Sequence, residues 1–363
     1  MKRPKPTLYD ELKAAISSGM APWPEERFDS LAVRIARWHY DEIPPFRALC
    51  EARSVDPDSM RKWRDIPAVP TEAFRRFELF AGDDPPREFR TSGTSGSKPG
   101  RALFSDQGLE LMAEAIRVNA RAMLLPDERA TRILILAPPP EAAPHMIMAH
   151  GMEQLRREHG LAGSRFLIGS EGLDSAGLMR AFADSEREEI PLTLIGASFG
   201  FVHLFEAMAE RDLSFSLAHG SRAMDAGGFK GRSREADRDE LNAAFESRLG
   251  IPAERCVNLL GMTEIASQMY DNVMRDGRPA PRFKVNPPWT RTEVVDPITL
   301  DPLPPGRPGL LLHVDLANFE RPIVVQSDDI GRRLENGGFE IDGRAKGAES
   351  RGCSLTIDEM LSQ

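Results

Sequence analysis

The segment 91–100 carries the residues whose types and spacing most clearly predict chemistry. It reads Thr-Ser-Gly-Thr-Ser-Gly-Ser-Lys-Pro-Gly. Its glycines let backbone N–H groups approach a ligand closely, its hydroxyls add adaptable hydrogen-bond donors, and Lys98 adds positive charge, a combination that suits a nucleotide polyphosphate. It lacks the Gly-Lys-Ser/Thr ending of a Walker loop and the Gly-x-Gly-x-x-Gly of a dinucleotide fingerprint. On loop chemistry alone, a flexible connector stays an alternative.

The same segment resembles the phosphate-binding signature of the adenylate-forming superfamily, Thr-Ser-Gly-Thr-Thr-Gly-x-Pro-Lys-Gly. The resemblance implies that this is an ATP-binding loop. The order Lys98-Pro99 inverts the usual Pro-Lys pair, which moves the charge by one residue. The residues that the resemblance assigns to the phosphates are Thr91, Ser92, Gly93, Thr94, Ser95, Gly96 and Lys98.

A second cluster, Asn-Leu-Leu-Gly-Met-Thr-Glu at 258–264, resembles the Tyr-Gly-Met-Thr-Glu motif of that superfamily. The resemblance places Gly261 in the nucleotide site, Thr263 at the α-phosphate and Glu264 on a magnesium ion. Leu260 replaces the usual aromatic residue, so its contact with adenine would be apolar. Mg²⁺ prefers hard oxygen ligands, often one or two carboxylates plus substrate phosphates. Taken alone, Glu264 is also typical of a charge at a helix start.

Two further clusters follow toward the C-terminus. The stretch 326–332, Gln-Ser-Asp-Asp-Ile-Gly-Arg, is similar to the superfamily's Thr-Gly-Asp-Leu-Gly-Arg, which implies that Asp329 accepts hydrogen bonds from both ribose hydroxyls. The stretch 343–346, Gly-Arg-Ala-Lys, is similar to the hinge signature Gly-Arg-x-Asp, which implies that Arg344 lies near the ribose or the phosphates. Without the resemblance, two aspartates before a glycine are typical of a turn between strands.

The end of the chain indicates one branch of the superfamily. Residues 351–359, Arg-Gly-Cys-Ser-Leu-Thr-Ile-Asp-Glu, look like the ending of the Lux-type acyl-protein synthetases, the long-chain-fatty-acid-luciferin-component ligases. In that family a cysteine near the C-terminus receives the acyl group, which implies this role for Cys353. The segments 65–70 and 227–230 resemble the same family. Acyl-CoA synthetases carry a further C-terminal domain of on the order of a hundred residues, so we expect a truncated or absent lid domain here.

The chain has three cysteines, too few and too irregularly spaced for a disulfide framework or a zinc site. Cys50 and Cys256 lie in apolar stretches and are predicted to be buried and inert. Cys353 differs, because Arg351 and Lys346 are close in sequence and cations favour the nucleophilic thiolate. On sequence chemistry alone, an unreactive Cys353 stays an alternative.

Composition agrees with a soluble cytoplasmic enzyme and adds little more. Hydrophobic residues make up 41% and charged residues 28% of the 363 positions, which is enough for a sizeable core. The net charge of -9 argues against a nucleic-acid partner, because phosphate backbones require basic patches. No apolar run reaches the roughly 18 residues that span a bilayer, so we expect no stable membrane insertion. The basic start leads into an amphipathic stretch with Asp10 and Glu11 and is not a signal peptide.

The pattern of elements predicts an α/β protein with mainly parallel sheets flanked by helices. Strands are expected at 132–137, 165–168, 192–195, 213–217 and 256–260, and helices at 107–125, 142–158, 199–210 and 234–249. After residue 285, short strands at 292–295, 310–316 and 323–325 predict a small antiparallel β subdomain. The resemblance implies the fold of the N-terminal domain of adenylate-forming enzymes. The expected parts are a helical N-terminal segment plus a nucleotide- and acyl-binding core at 1–285, the β subdomain at 286–342, and a hinge-like tail with Cys353 at 343–363.

Together these residues predict a ligase that uses ATP and Mg²⁺ to activate a carboxylic acid as an acyl-adenylate and passes the acyl group to Cys353. Attack of a carboxylate on a phosphate is opposed by charge repulsion, so the protein must neutralise and orient the phosphates. The family implies a fatty acid and an acyl reductase partner. Two alternatives stay open: an acid-CoA ligase of the phenylacetate type, and a non-catalytic subunit that binds acyl nucleotides. The residues expected to be catalytic are Cys353, Glu264, Thr263 and Lys98.

Overall fold

The computed structural model describes residues 6–82, 87–91, 98–227, 238–344 and Met360. Within these residues the helices are α1 (Pro6–Ser17), α2 (Glu25–Glu42), α3 (Pro44–Ala52), α4 (Ala73–Arg76), α5 (Asp106–Met123), α6 (Ile147–His159), α7 (Ser175–Glu188), α8 (Ser198–Glu210), α9 (Arg238–Leu249) and α10 (Val273–Asp276). The strands of the same residues are β1 (Val69–Pro70), β2 (Arg87–Arg90), β3 (Arg101–Phe104), β4 (Arg132–Leu136), β5 (Arg165–Phe166), β6 (Ile168–Gly169), β7 (Gly172–Leu173), β8 (Leu192–Ala197), β9 (Arg222–Ala226), β10 (Cys256–Leu260), β11 (Met269–Tyr270), β12 (Thr290–Val295), β13 (Gly309–Asp315), β14 (Val324–Arg333) and β15 (Phe339–Arg344).

Contacts between residues divide the chain into two compact units. The first unit comprises Met1–Val118, Met262–Ser267 and Val285–Gln363, and the second comprises Asn119–Gly261 and Gln268–Lys284. This grouping differs from the three parts expected from the sequence, because β1 near the N-terminus pairs with β14 near the C-terminus. The C-terminal strands therefore share a unit with the N-terminal helices. The residue limits of the three expected parts stay a prediction.

The second unit is built on a sheet with the strand order β11-β10-β9-β8-β4-β5. Neighbours from β10 to β5 run parallel, and β11 pairs antiparallel with β10. Parallel neighbours need a crossover connection, which explains the alternation of strands and helices in this part of the sequence. β8 and β9 are buried along almost their whole length, as expected of strands covered on both faces. The predicted mainly parallel sheet is confirmed.

The strand predicted at 213–217 is wrong. The N–H of Phe215 donates to the carbonyl of Arg248 at 2.8 Å, and the N–H of Leu217 donates to the carbonyl of Leu249 at 3.1 Å. The segment therefore satisfies its backbone against the end of α9, and β9 takes the place beside β8. Apolar residues do alternate there, but periodicity alone does not show whether a partner strand is present.

The first unit contains an antiparallel meander of β12, β13, β14 and β15, which confirms the antiparallel pairing predicted after residue 285. The two-residue strand β1, which the sequence did not predict, extends this sheet parallel to β14. The N–H of Thr71 then donates to the carbonyl of Gln326 at 3.0 Å. Gly331 lies at a register shift between β14 and β15, where a Cβ would overlap the backbone oxygen of Glu340.

The N-terminal helices supply buried apolar faces to the first unit, including Phe28, Leu31 and Ile35 of α2. His39 on the same helix is fully buried, and its Nε2 donates to the carbonyl of Phe319 at 2.8 Å. Burial lowers the pKa of His39 to about 4, so this histidine is neutral at physiological pH. Within the described ranges, no helix combines the length and the apolar character needed to cross a membrane.

Candidate functional site

The segment 91–100 is held at its base by an antiparallel hairpin of β2 and β3 in the first unit. The N–H of Thr91 donates to the carbonyl of Gly100 at 2.9 Å, and the N–H of Gly100 donates to Oγ1 of Thr91 at 2.8 Å. Phe89 of β2 and Phe104 of β3 are both buried, and their rings pack edge to face with their centroids 5.4 Å apart. Both ends of the segment, Thr91 and Gly100, are therefore fixed to each other, beside strands that the sequence did not predict.

The predicted phosphate ligands divide between described and undescribed positions. Thr91 lies at the base of the loop, and Lys98 is exposed near its end. The remaining predicted ligands lie outside the described residues; they are Ser92, Gly93, Thr94, Ser95 and Gly96. Phosphate binding by this loop stays a prediction.

The segment 262–267 is fixed to the sheet of the first unit by Asp315, the last residue of β13. The Asp315 carboxylate accepts hydrogen bonds from the N–H groups of Ala266 at 2.9 Å and Ser267 at 2.7 Å, and from Oγ of Ser267 at 2.7 Å. Nε1 of Trp289 also donates to Oγ of Ser267, at 2.9 Å. Several hydrogen bonds to one buried carboxylate make a strong anchor. This anchor positions the predicted metal-binding motif.

Glu264 lies in this anchored segment with its side chain buried, and only 7% of the residue is exposed. Nδ2 of Asn318 donates to its backbone carbonyl at 2.8 Å. Burial raises the pKa of Glu264 to about 7, although its own backbone N–H and the charges of Arg344 and Arg75 lower the pKa, while Asp328 raises it. A cation bound to this carboxylate would favour its charged form. A cation that binds to Glu264 would therefore displace a proton at neutral pH.

The alternative readings of two motifs are wrong. Residues after Glu264 lead through a turn to β11 and not directly into a helix, so this carboxylate is not a helix-start charge. Asp328 and Asp329 lie within β14, not in a turn between strands. Thr263 is buried beside Glu264, whereas Gly261 is exposed and belongs to the second unit.

Asp329 and Arg344 are register partners on β14 and β15. Nε of Arg344 donates to Oδ1 of Asp329 at 3.2 Å, and the exposed fractions of the two side chains are 61% for the arginine and 15% for the aspartate. Oγ of Ser327 accepts a hydrogen bond from the N–H of Asp329 at 3.1 Å. Ion pairs this exposed contribute little to stability, so a ligand could readily replace this contact. The predicted ribose and hinge motifs therefore meet, close enough to Glu264 for the Arg344 charge to affect it.

Arg75 is a neighbour of this site that sequence reasoning missed. It precedes Arg76, the last residue of α4, and its charge lowers the pKa of Glu264. Its Cγ lies 3.5 Å from the position that a Cβ on Gly100 would occupy. Arg75 thus lies near both the loop base and the buried carboxylate. Nothing in the sequence distinguishes it from Arg76, because the proximity depends on the pairing of β1 with β14.

A buried polar network in the second unit lies near the carboxyl ends of β8 and β9. Its centre is Asp225, which accepts hydrogen bonds from both terminal nitrogens of Arg238 at 2.6 and 2.8 Å, from Oγ of Ser198 at 2.6 Å and from Nδ2 of Asn258 at 2.9 Å. Nζ of Lys284 donates to the backbone and side-chain oxygens of Asn258, both at 2.6 Å. Burial lowers the pKa of Lys284 to about 8. These bonds join β9 and β10 to the first residues of α8 and α9, near the edge where open α/β sheets bind ligands.

The cysteines divide into two buried residues and one outside the described ranges. Cys50 and Cys256 are buried, as predicted, and burial raises the pKa of both thiols, to about 12 for Cys50. Cys353, Arg351 and Lys346 lie outside the described residues, so the acyl-acceptor role stays a prediction. Within the part of the chain that the structure describes, no group of three or more His, Cys, Asp or Glu side chains is arranged to hold a metal ion.

Comparison with known proteins decides the family. The model of the family described as "Acyl-protein synthetase, LuxE" matches residues 25–362. The chain belongs to this family. The long-chain-fatty-acid–luciferin-component ligase of Vibrio harveyi is 24% identical over 339 residues, covering 90% of this chain and 86% of that protein. The ligase of the same description from Aliivibrio fischeri is 20% identical over 349 residues, covering 92% and 89%.

The synthetase also resembles solved structures of adenylate-forming ligases. An open conformation of 2-hydroxyisobutyryl-CoA ligase in complex with 2-HIB-AMP and CoA has a TM-score of 0.65 at 14% identity, covering 90% of this chain and 76% of that one. A long-chain-fatty-acid-CoA ligase from Archaeoglobus fulgidus has a TM-score of 0.51 at 12% identity, covering 71% and 51%. These likenesses confirm the predicted fold. With the family, they identify an enzyme, a ligase that activates acyl groups with ATP and ligates them to protein.

Proposed function

We propose that the synthetase converts a fatty acid to a fatty acyl-adenylate with ATP and Mg²⁺ and then transfers the acyl group to the thiol of Cys353. An acyl reductase would take up the acyl group from there. The proposal is supported above all by the buried carboxyl of Glu264, whose pKa is affected by Arg344, the ion-pair partner of Asp329. The fatty acid is suggested by the names of the two relatives, and the thiol by the resemblance of residues 351–359.

In the first step, a carboxylate oxygen of the acid attacks the α-phosphorus of ATP. The bond from that phosphorus to the bridging oxygen breaks, and pyrophosphate leaves with the electron pair. Both reactants are anions, so the enzyme acts mainly by orientation and charge neutralisation. Thr263 would contact the α-phosphate and Asp329 would accept hydrogen bonds from the ribose hydroxyls. Loop 91–100, with Lys98, would hold the other phosphates.

Glu264 would hold Mg²⁺ together with phosphate oxygens of the nucleotide. Magnesium binding at Glu264 is supported by the chemistry of the ligand atoms, because carboxylate and phosphate oxygens are the hard ligands that this ion prefers. Burial raises the pKa of Glu264 to about 7, so Mg²⁺ that binds there would displace a proton and stabilise the charged form. Bound Mg²⁺ stabilises negative charge that develops on the phosphates.

In the second step, the thiolate of Cys353 attacks the carbonyl carbon of the acyl-adenylate. The thiol proton passes to solvent when the thiolate forms; on attack, the bond from that carbon to the phosphate oxygen breaks and AMP leaves with the electron pair. Arg351 and Lys346 are close in sequence and would favour the thiolate. The protein-bound thioester is then the form in which the acyl group reaches the reductase.

The proposal is tested by incubating the protein with a labelled fatty acid, ATP and Mg²⁺ in the absence of CoA, followed by denaturing gels with and without hydroxylamine. Wild type should carry a hydroxylamine-sensitive label, and Cys353→Ser should lose it while ATP–pyrophosphate exchange persists. Serine is a much weaker nucleophile than a thiolate near neutral pH. Cys50→Ala, which removes a buried thiol, is the matched control and should keep the label.

The outcomes separate the proposal from its alternative. A labile label that persists in Cys353→Ser excludes this cysteine as the acceptor. If wild type carries no label yet forms acyl-CoA rapidly once CoA is added, the protein is an acid-CoA ligase instead. If no acid supports exchange, activation itself is refuted.

A further inference from the structure

Arg75 reaches the candidate site through a contact between distant parts of the sequence. β1 pairs with β14 at Val69↔Val325 and Pro70↔Gln326, immediately before Ser327, Asp328 and Asp329 on β14. The chain then turns into α4, so the side chains of this helix are presented beside the predicted ribose motif. Because the pairing is made by backbone hydrogen bonds, the position of α4 does not depend on the arginine itself.

The helix α4 is anchored by its first two residues, since Ala73 and Phe74 are fully buried. The next two residues are both arginines and both contact the same carboxylate. Nη1 of Arg75 lies 3.4 Å from Oε2 of Glu72, and Nε of Arg76 lies 3.4 Å from Oε1 of Glu72. Their exposure differs, with 31% of the Arg75 side chain and 51% of the Arg76 side chain accessible. The chain therefore provides a natural pair for comparison.

Among the described residues, Arg75 is the member of this pair that is linked to the candidate site. Its Cγ lies within 3.5 Å of the position of a Cβ on Gly100, which is hydrogen-bonded to Thr91 at the loop base. Its charge is also close enough to Glu264 to influence that carboxyl group. A planar guanidinium near both the base of the predicted phosphate loop and the predicted metal ligand is suited to bidentate recognition of phosphate.

We propose that Arg75 is a phosphate ligand of ATP in this site, a contact supplied by α4 in addition to those of the recognised motifs. The inference rests on the proposed adenylate chemistry. On this view, Glu72 holds Arg75 in the ligand-free protein, and the triphosphate replaces that weak, partly exposed contact. A purely structural Arg75 would instead hold α4 or the loop base, and its loss would lower thermal stability without a specific effect on ATP.

The test measures ATP–pyrophosphate exchange at saturating acid with ATP varied, in wild type, Arg75→Gln, Arg75→Lys and Arg76→Gln. We expect Arg75→Gln to raise KM for ATP about ten- to hundredfold, because a hydrogen bond to a charged group is lost. Arg76→Gln should stay within about twofold of wild type, because Arg76 is half exposed and its charge is paired with Glu72. Arg75→Lys should fall between these variants, since lysine keeps the charge but not the bidentate geometry.

A second measurement does not depend on turnover. Calorimetric titration of ATP and of pyrophosphate, without acid, should show weaker binding of both to Arg75→Gln and unchanged binding to Arg76→Gln. Added guanidinium ion should partly restore exchange to an Arg75→Ala variant. Thermal unfolding of each variant, followed in parallel, separates a binding loss from a folding loss.

The results distinguish a failure of the proposed function from a failure of the proposed role of Arg75. Absence of exchange in wild type with every acid refutes the proposed function, and the calorimetric titration still decides whether Arg75 binds phosphates. If wild type is active and Arg75→Gln matches Arg76→Gln in both KM for ATP and ATP affinity, the inference about Arg75 is wrong. The same conclusion follows if the Arg75 variants lose only thermal stability, and if neither the lysine in Arg75→Lys nor added guanidinium ion restores exchange.

Discussion

The protonation state of Glu264 sets a pH dependence that can be worked out in advance. Burial raises the pKa of this carboxyl group to about 7 in the ligand-free protein. Binding of a metal–nucleotide complex requires the charged form, so binding releases a proton and strengthens as the pH rises through 7. The charged fraction grows from about one eleventh at about pH 6 to about ten elevenths at about pH 8. KM for magnesium-bound ATP should therefore fall about tenfold over this interval and level off above it.

Two substitutions test the assignment from opposite directions. Glu264→Gln should reduce adenylate formation about a hundredfold or more and remove the pH dependence of KM, because the carboxylate supports charge stabilisation worth several kcal/mol. Asp328→Asn removes a neighbouring negative charge that raises the pKa of Glu264. Its profile should keep its shape but shift to lower pH. Glutamine and asparagine preserve the size of the side chains, so both changes are mainly electrostatic.

The measurement is ATP–pyrophosphate exchange at saturating acid and fixed free Mg²⁺ concentration, with KM for ATP determined at several pH values. Glu264→Gln also serves as the control for protonation of the nucleotide itself, since any pH dependence that remains in it belongs to ATP. A wild-type KM that is flat between about pH 6 and about pH 8 would falsify the assigned charge state. Adenylate formation by Glu264→Gln within a few-fold of wild type would remove this residue from the site.

Three other substitutions probe the ribose contact, the loop base and the fold. Asp329→Ala should raise KM for ATP more than it lowers kcat, since ribose contacts are made equally in ground and transition states; an unchanged KM in steady-state exchange contradicts the assignment. Thr91→Val removes the acceptor for the Gly100 N–H and should raise KM for ATP several-fold without changing the apparent size of the protein, and equal KM values would show that the hairpin does not position the loop. Burial lowers the pKa of His313 from 6.5 to about 4, so the unfolded chain binds a proton that the folded protein does not, and acidification from about pH 7.5 to about pH 5 costs about 2 kcal/mol through this residue. His313→Gln should show a smaller acid loss in urea unfolding by that amount, and an identical loss would exclude the histidine as a source of acid sensitivity.

The sequence predicts those features that depend on local pattern. Buried apolar runs locate β4, β8 and β10, because strands covered on both faces must be apolar along their length. The motif containing Glu264 could be assigned a chemistry because it resembles the Tyr-Gly-Met-Thr-Glu motif of the adenylate-forming superfamily, whereas an acidic residue there, taken alone, is also typical of a helix start. The structure adds that residues 262–267 are hydrogen-bonded to Asp315. That contact joins segments far apart in sequence, so no local pattern predicts it.

Features that depend on distant pairing could not be predicted in this way. β1 is a two-residue strand whose partner lies near the other end of the chain, and a segment this short has no measurable periodicity. The proximity of Arg75 to Glu264 follows from that pairing. The ion pair of Arg344 with Asp329 is similar, since the two residues belong to separate sequence motifs and the register of β14 with β15 brings them together. In each case the missing information is the strand partner, not the residue type.

The last prediction compares two cations that could serve the same phosphates. Lys98 is exposed, whereas Arg75 is two-thirds covered and influences a buried carboxyl group. A charge surrounded by water interacts about four times more weakly at a given distance than one near the protein surface, because the effective dielectric constant is higher. Lys98→Ala should therefore lower kcat/KM for ATP only about fivefold, well below the expected loss in Arg75→Gln, while the double variant should combine both losses if the two contacts are independent. Exchange kinetics of the three proteins at low and high salt measure this, with the Lys98 effect expected to shrink more at high salt. A loss of a hundredfold or more in Lys98→Ala, with Arg75→Gln near wild type, would reverse the order and make the loop lysine the principal phosphate ligand, as the superfamily signature implies.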